Sequence, residues 1–302
     1  IEEDLIEEVA RIVGYQQLPE TPPVAPIRAR VLSESRRSPH AVRQAMAALG
    51  YQETINYSFV EERWEQQLAG NAQPIRVLNP IAAPLAVMRS SLLGSLLGVL
   101  HYNLARRASR VRVFEVGRVF RRDTTVPDSG GSVAGVDQPM RLGALAYGPA
   151  AAAQWGLKER GVDFFDLKGE IEALLAPRRP VFVADNHPAL HPGRCARVEL
   201  EGRAIGHVGE LHPQWRQAYE LPQAPLLFEL ELEAVLARDV PVAQPVPKHQ
   251  SSLRDIALVV RDEVAHDELV RVLSRDDSGV VRSVLLFDVY RPAQPGGDIG
   301  AG

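Results

Sequence analysis

Apolar residues Ile1, Leu5, Val9 and Ile12 recur at three- and four-residue intervals, which predicts a helix ending near Val13, before Gly14. A second helix is marked by Ser38-Pro39, a capping side chain followed by proline at the first helical position, and its apolar face is Val42, Ala45, Met46 and Leu49. Residues 54–59 read as a strand and 61–69 as a short helix. Leu93, Leu96, Leu97, Leu100 and Leu104 form the apolar stripe of a third helix, whose other face carries Ser95, His101, Asn103 and Arg106. The alternating, β-branched and aromatic run 111–120 predicts a long strand. Further strands are expected near 142–147, 181–184, 196–200, 204–208 and 226–232, with a helix over 166–175. Many strands and few long helices predict an α+β fold built on an antiparallel sheet with flanking helices. Beyond Pro241, Pro245 and Pro247 come a strand (255–260), a helix (266–273) and a strand (280–288), one half of a ferredoxin-like fold.

Prolines 19, 22, 23 and 26 each fix their own φ and lack a donor, so they predict a stiff extended linker. The domains expected are therefore 1–20, a linker over 21–32, a core over 33–240 and a C-terminal unit over 241–302. The segment 123–139, with glycines at 130, 131 and 135, predicts a flexible loop, and the glycines of 202–209 a hairpin with an adjoining strand. The chain opens on Ile1 and closes on the loop-like run 296–302, which suggests a piece of a longer polypeptide.

The chain has 302 residues, 45% hydrophobic and 24% charged, which excludes a disordered chain or a coiled coil. No apolar run reaches the roughly 18 residues that span a bilayer, so a cytoplasmic protein without a membrane partner is expected. Cys195 is the single cysteine, which excludes an internal disulfide and a CxxC zinc site. A net charge of −4 gives no global attraction for a polyanion, so nucleic-acid binding has to be local.

Chemistry is sparse. Asp4, Glu7 and Glu8 share a face of the first helix and could offer oxygen ligands to Mg²⁺, but Arg11 lies on the same face, and an ordinary solvated helix has the same pattern. Asp185, His187, His191, His207 and His212 invite a metal reading. The prolines after His187 and His191 favour an extended loop that scatters the rings, with structural imidazoles as the better reading. Ser90, Ser91 and Cys195 lack the setting of a nucleophile, and no phosphate-binding glycine loop is present.

Several blocks nevertheless resemble the bacterial phenylalanine–tRNA ligase beta subunits. Residues 4–12 with Gly14-Tyr15 and Leu18-Pro19 are similar to the end of that family's B5 domain. Leu78-Asn79-Pro80, the run 88–93 (MRSSLL), Asn103, Arg106 and the run 114–120 (FEVGRVF) resemble its synthetase-like core, and 191–194 (HPGR) with 206–213 (GHVGELHP) continue it. Lys248, 254–260 (RDIALVV) and 286–290 (LFDVY) resemble the start of its ferredoxin-fold anticodon-binding domain. The blocks occur in the family's order along almost the whole chain.

The resemblance implies a class II synthetase-like core that has lost its chemistry. Residues 114–123 begin like the strand–loop–strand motif that carries a phosphate-clamping arginine. After Asp123, however, comes Thr124-Thr125-Val126-Pro127, and no glycine-rich arginine motif follows. Arg118, Arg121 and Arg122 are thus left without partners for an ATP site, no catalytic residue is expected, and the chain alone is expected to be inactive. The family further implies an alpha-subunit partner in an α₂β₂ tetramer that charges tRNA(Phe), with a contact through Val42, Met46 and Leu49. Contact residues for tRNA are not assigned. It also implies a shared Mg²⁺ on Asp4, Glu7 and Glu8, held weakly or not at all without a further Asp before Ile1 and without the partner. Editing and the N-terminal tRNA-binding domain would lie upstream. A free-standing class II-like ligase and an independent tRNA-binding module are the competing readings; the missing motifs weigh against the first, the net charge against the second.

Overall fold

The computed structural model describes residues 1–22, 24–26, 33–130, 132–243, 246 and 248–291, and the chain divides into two compact units, Ile1–Val242 and Ala243–Gly302. Pro23, Gly131, Pro245, Pro247, most of the linker's second half and the glycine-rich run 296–302 lie outside the described residues.

In the first unit α1 (Glu2–Val13) forms where the periodicity places it, and Ser38 caps α2 (Pro39–Ala48) by accepting from the Ala41 amide at 3.1 Å. The expected strand over 54–59 is replaced by two short pieces, β1 (Gln52–Glu53) and β2 (Phe59–Val60). Between them Ile55 and Tyr57 point outward, so alternation there reflects no buried face. A π-helical turn (Trp64–Leu68) and β3 (Val87–Met88), which pairs with β2, lead to α3 (Leu93–Leu104). Long strands β4 (Val111–Arg118) and β7 (Met140–Tyr147) flank a small ribbon of β5 (Arg121–Arg122) and β6 (Val136–Asp137). Next come α4 (Phe164–Leu175), β8 (Val181–Ala184), β9 (Leu190–Leu200), β10 (Arg203–Leu211), α5 (Pro213–Ala218), β11 (Leu226–Glu231) and α6 (Leu232–Leu236).

Seven strands make one sheet in the order β1-β4-β7-β11-β10-β9-β8. Every neighbouring pair is antiparallel except β1 with β4, so the sheet is mixed rather than purely antiparallel. Glu201 and Gly202 both take positive φ, as a two-residue hairpin turn between β9 and β10 requires.

Helices cover both faces of this sheet. On one, α2, α4 and α6 bury Val42, Met46, Ile171 and Val235 against Phe114, Leu142 and Phe228. On the other, α3 and α5 bury Leu96, Leu100 and Trp215 against Val113, Leu145 and Leu227. Two expectations are corrected by these contacts. Val42 and Met46, both wholly buried, spend their apolar face on the chain's own sheet, with half-buried Leu49 packed beside them, so that face is closed to a partner. Ser95, placed on the polar side of α3, is buried as well, because sheet and π-helical turn enclose the helix's first half. Gly94 permits this: a Cβ there would lie 2.7 Å from the Trp64 ring.

The second unit contains α7 (His266–Leu273) and a turn in which the Asp276 carboxylate accepts from the amides of Ser278 and Val281. The strands expected at 255–260 and 280–288 do not form. Ile256, Leu285 and Phe287 stay exposed, since an extended segment gains a ladder only from a neighbouring strand.

Candidate functional site

The part of the fold that the arginine motif marks is the sheet centre at the end of β4, beneath the start of α3. Arg118 is exposed there and donates to the Gln138 carbonyl at 3.0 Å, while Arg121 donates to the Ser90 carbonyl at 3.4 Å. Next to them the segment Met88–Leu92 lies on the sheet and fills it. Leu92 is wholly buried, and Gly143 on β7 makes room for it: a Cβ at 143 would stand 3.0 Å from that of Leu92.

Three carboxylates from distant elements secure this segment. Glu115 on β4 pairs with Arg89 at 2.7 Å, with both side chains at least 96% buried, and accepts from Asn56 Nδ2 at 2.7 Å. Buried Glu65, from the π-helical turn, accepts from the Ser90 amide at 2.8 Å and from Asn71 Nδ2 at 2.7 Å. Glu229 on β11 accepts from Ser91 Oγ at 2.8 Å and the Leu92 amide at 2.6 Å. Arg89 also donates to the Arg118 carbonyl at 3.0 Å. Gly117 is required here, because a Cβ would come within 2.4 Å of the Arg89 guanidinium.

A buried ion pair is tolerable when its remaining donors and acceptors are met, and the interlocked pattern meets them. The cluster therefore fastens the segment Met88–Leu92 to the sheet, with Arg89, Glu65 and Glu115 buried. Sequence reading found Arg89, Ser90, Ser91 and Glu115 as family blocks but missed Glu65 and Glu229, which carry no local signal. Gly117 on β4 and Gly143 on the neighbouring strand β7 were the available hint of something packed against the strands.

The opposite face carries a second buried group. Tyr51 donates to Glu170 at 2.6 Å, Arg112 pairs with the same carboxylate, and its guanidinium lies 4.6 Å from the Tyr51 ring centroid. Burial, then Glu170, push the Tyr51 phenol well up, and burial likewise raises Glu170. Arg110 and Arg112 donate onward to the carbonyls of Pro149 and Ala150, fixing the loop that ends at α4.

The histidines do not assemble a metal centre: among the described residues no three His, Cys, Asp or Glu side chains converge. Asp185 instead accepts from Arg197 at 3.1 Å and meets His207 Nε2 at 3.1 Å, while His187 and His191 accept from the amides of Ala189 and Gly193. His187 stacks 5.0 Å from His207, and burial, with His207 and Arg121 nearby, lowers it to about 4. Burial pushes the Cys195 thiol up to about 11, far from a reactive thiolate.

On α1, Asp4, Glu7 and Glu8 are exposed; Asp4 accepts from the Ile1 amino group at 2.8 Å and Glu8 from Arg11 at 2.5 Å. The apolar residues of that helix are exposed too, Leu5 and Val9 among them.

Comparison with known proteins places these features. Residues 18–232 match the family described as phenylalanyl tRNA synthetase beta chain CLM domain, and residues 247–298 the ferredoxin-fold anticodon binding domain. The chain is 54% identical over 306 aligned residues to the phenylalanine–tRNA ligase beta subunit of Ralstonia nicotianae, covering 100% of this chain and 38% of that protein. With the same subunit of Burkholderia pseudomallei it shares 53% identity (96% of this chain, 36% of the relative), and with that of Bordetella bronchiseptica 48% (96% and 37%). It thus spans little more than a third of these curated relatives. The match over 18–232, which takes in the whole seven-stranded sheet and its buried carboxylates, shows that the chain belongs to the phenylalanine–tRNA ligase beta-subunit family.

Proposed function

We propose that this chain is part of the non-catalytic beta subunit of a cytoplasmic phenylalanine–tRNA ligase, supporting an alpha subunit that charges tRNA(Phe) in an ATP-dependent reaction and helping to hold the tRNA. The observation that carries this reading is the filled sheet centre. Forming an adenylate requires pre-placed cationic donors around a phosphate in an open pocket. Here Arg89 is committed to Glu115, Leu92 occupies the sheet, and Arg118 donates to a backbone carbonyl. A class II-like core (33–240) that binds rather than reacts accounts for this arrangement. On this reading residues 1–20 end a B5 domain, 21–32 link it to the core, and 241–302 begin the anticodon-binding domain.

The alpha subunit is the proposed partner, in an α₂β₂ tetramer. Its contact lies away from Val42 and Met46, which the chain buries itself. Asp4, Glu7 and Glu8 would contribute ligands to a Mg²⁺ shared with the alpha subunit, an ion that this chain by itself would hold weakly or not at all. Exposed carboxylates are the hard oxygen donors that ion takes, and since no three such groups converge among the described residues, the remaining ligands would come from elsewhere in the complex. The ion would supply charge that bridges acidic surfaces.

Co-expression with the alpha subunit tests the reading. A stable complex that elutes together is expected; two separate species at micromolar concentration would contradict it. Within the complex, Asp4→Asn with Glu8→Gln should weaken retention of Mg²⁺ measured by elemental analysis, and unchanged metal content would remove the helix from the site.

A further inference from the structure

A cleft of about 530 Å³ opens in the first unit where the C-termini of α3 and α5 meet the ends of β4 and β7. Its walls include His101, Tyr147 and Tyr219, with Ser109, Gln223 and Arg107 as polar groups and Glu220 as the acidic one. The rings of His101 and Tyr219 lie 5.9 Å apart, tilted by 56°.

Two helix ends are built unusually here. Arg107 has φ 64° and Glu220 φ 49°, and each occupies the left-handed position of a Schellman cap. After α3, Arg107 N–H donates to Leu104 at 2.8 Å and Ala108 N–H to Asn103 at 3.1 Å; after α5, Glu220 N–H donates to Gln217 at 3.0 Å and Leu221 N–H to Arg216 at 2.9 Å. Glycine is the residue that takes this position without strain, yet both positions carry a charged side chain that lines the cleft.

Arg107 and Glu220 are the charged residues of the lining, and the cation is the one left available to an anion. Arg107 is exposed, and its guanidinium has no hydrogen bond or ion pair among the described residues. One residue earlier, Arg106 stacks on the exposed Tyr102 ring, 3.3 Å from its centroid, and donates to the Tyr102 carbonyl at 3.0 Å. Arginine stacked on tyrosine, beside a free guanidinium and a cleft walled by rings, is the set of groups that holds unpaired nucleotides: cations for phosphate, ring faces for the base.

We infer that this cleft binds an unpaired nucleotide of RNA, with Arg107 on a phosphate and the His101 and Tyr219 rings beside the base. The inference rests on the reading of the chain as part of a tRNA-charging enzyme, since that supplies the RNA. The left-handed caps give it a sharp test. Arg107→Gly relieves the backbone and removes the cation, so it should raise the melting temperature while lowering affinity for a short fluorescein-labelled single-stranded RNA by about threefold or more in low salt. The slope of log affinity against log salt should fall by about 1, and Arg107→Lys should restore part of it. His101→Ala should weaken RNA more than it weakens heparin, which has charge but no bases to stack. No measurable RNA binding by the native chain, equal affinity of Arg107→Gly, or equal losses for RNA and heparin in His101→Ala would each overturn the inference. Because the RNA assay needs no alpha subunit, its failure alongside intact complex formation would leave the proposed function standing.

Discussion

Arg89 and Glu115 form the most consequential pair in the chain, since each is buried and each holds a different element. Arg89→Ala leaves the buried Glu115 carboxylate with Asn56 as its side-chain partner among the described residues, and unpaired buried charges of this kind cost about 3–5 kcal/mol. Urea denaturation should register that loss, whereas Arg89→Met combined with Glu115→Leu should lose less than the two single variants added together. A second residue-scale prediction concerns pH. His187 is lowered to about 4 from an ordinary value near 6.5, so the folded state resists the proton that the unfolded chain accepts. The stabilisation from neutral His187 is therefore complete above about pH 6.5 and declines as pH falls toward 4. Melting temperatures from pH 7 to 4.5 should drop, and His187→Asn should flatten that drop; an identical slope in the variant would contradict the assignment.

At the scale of elements, what was legible and what was not have distinct causes. Helices α1, α2, α3 and α4 and the strands β4, β7 and β11 could be read because each carries a full periodic face or a cap, as Ser38-Pro39 does. Removing that cap tests its weight: Ser38→Ala should cost about 1 kcal/mol. The run 54–59 misled because Thr54, Ile55 and Tyr57 favour strands locally, while ladder partners are found only by Gln52–Glu53 before it and by Phe59–Val60 at its end. The face of α2 was legible as apolar, but its occupant was not, since Phe114 and Ile171 are remote in sequence. The segments 255–260 and 280–288 have strand composition without a ladder, and pairing is a property of two segments. Amide hydrogen exchange should accordingly be fast over 254–290 and slow in α3 (Leu93–Leu104); equal protection in dilute monomer would mean that the second unit folds completely by itself.

At the scale of the molecule, the family could be read from short blocks, whereas the filled sheet centre could not. Its three carboxylates come from the π-helical turn, β4 and β11, and only the fold brings them around Met88–Leu92. That arrangement ties the chain's stability to the Met88–Leu92 segment, and on the proposed reading it is how the sheet remains stable without an adenylate site. The most direct measurement is phenylalanine-dependent ATP–pyrophosphate exchange by the purified chain, without an alpha subunit. The account predicts a rate no different from a no-enzyme control, unchanged in Arg118→Ala. Exchange above the control that co-elutes with the chain and disappears in Arg118→Ala would contradict it.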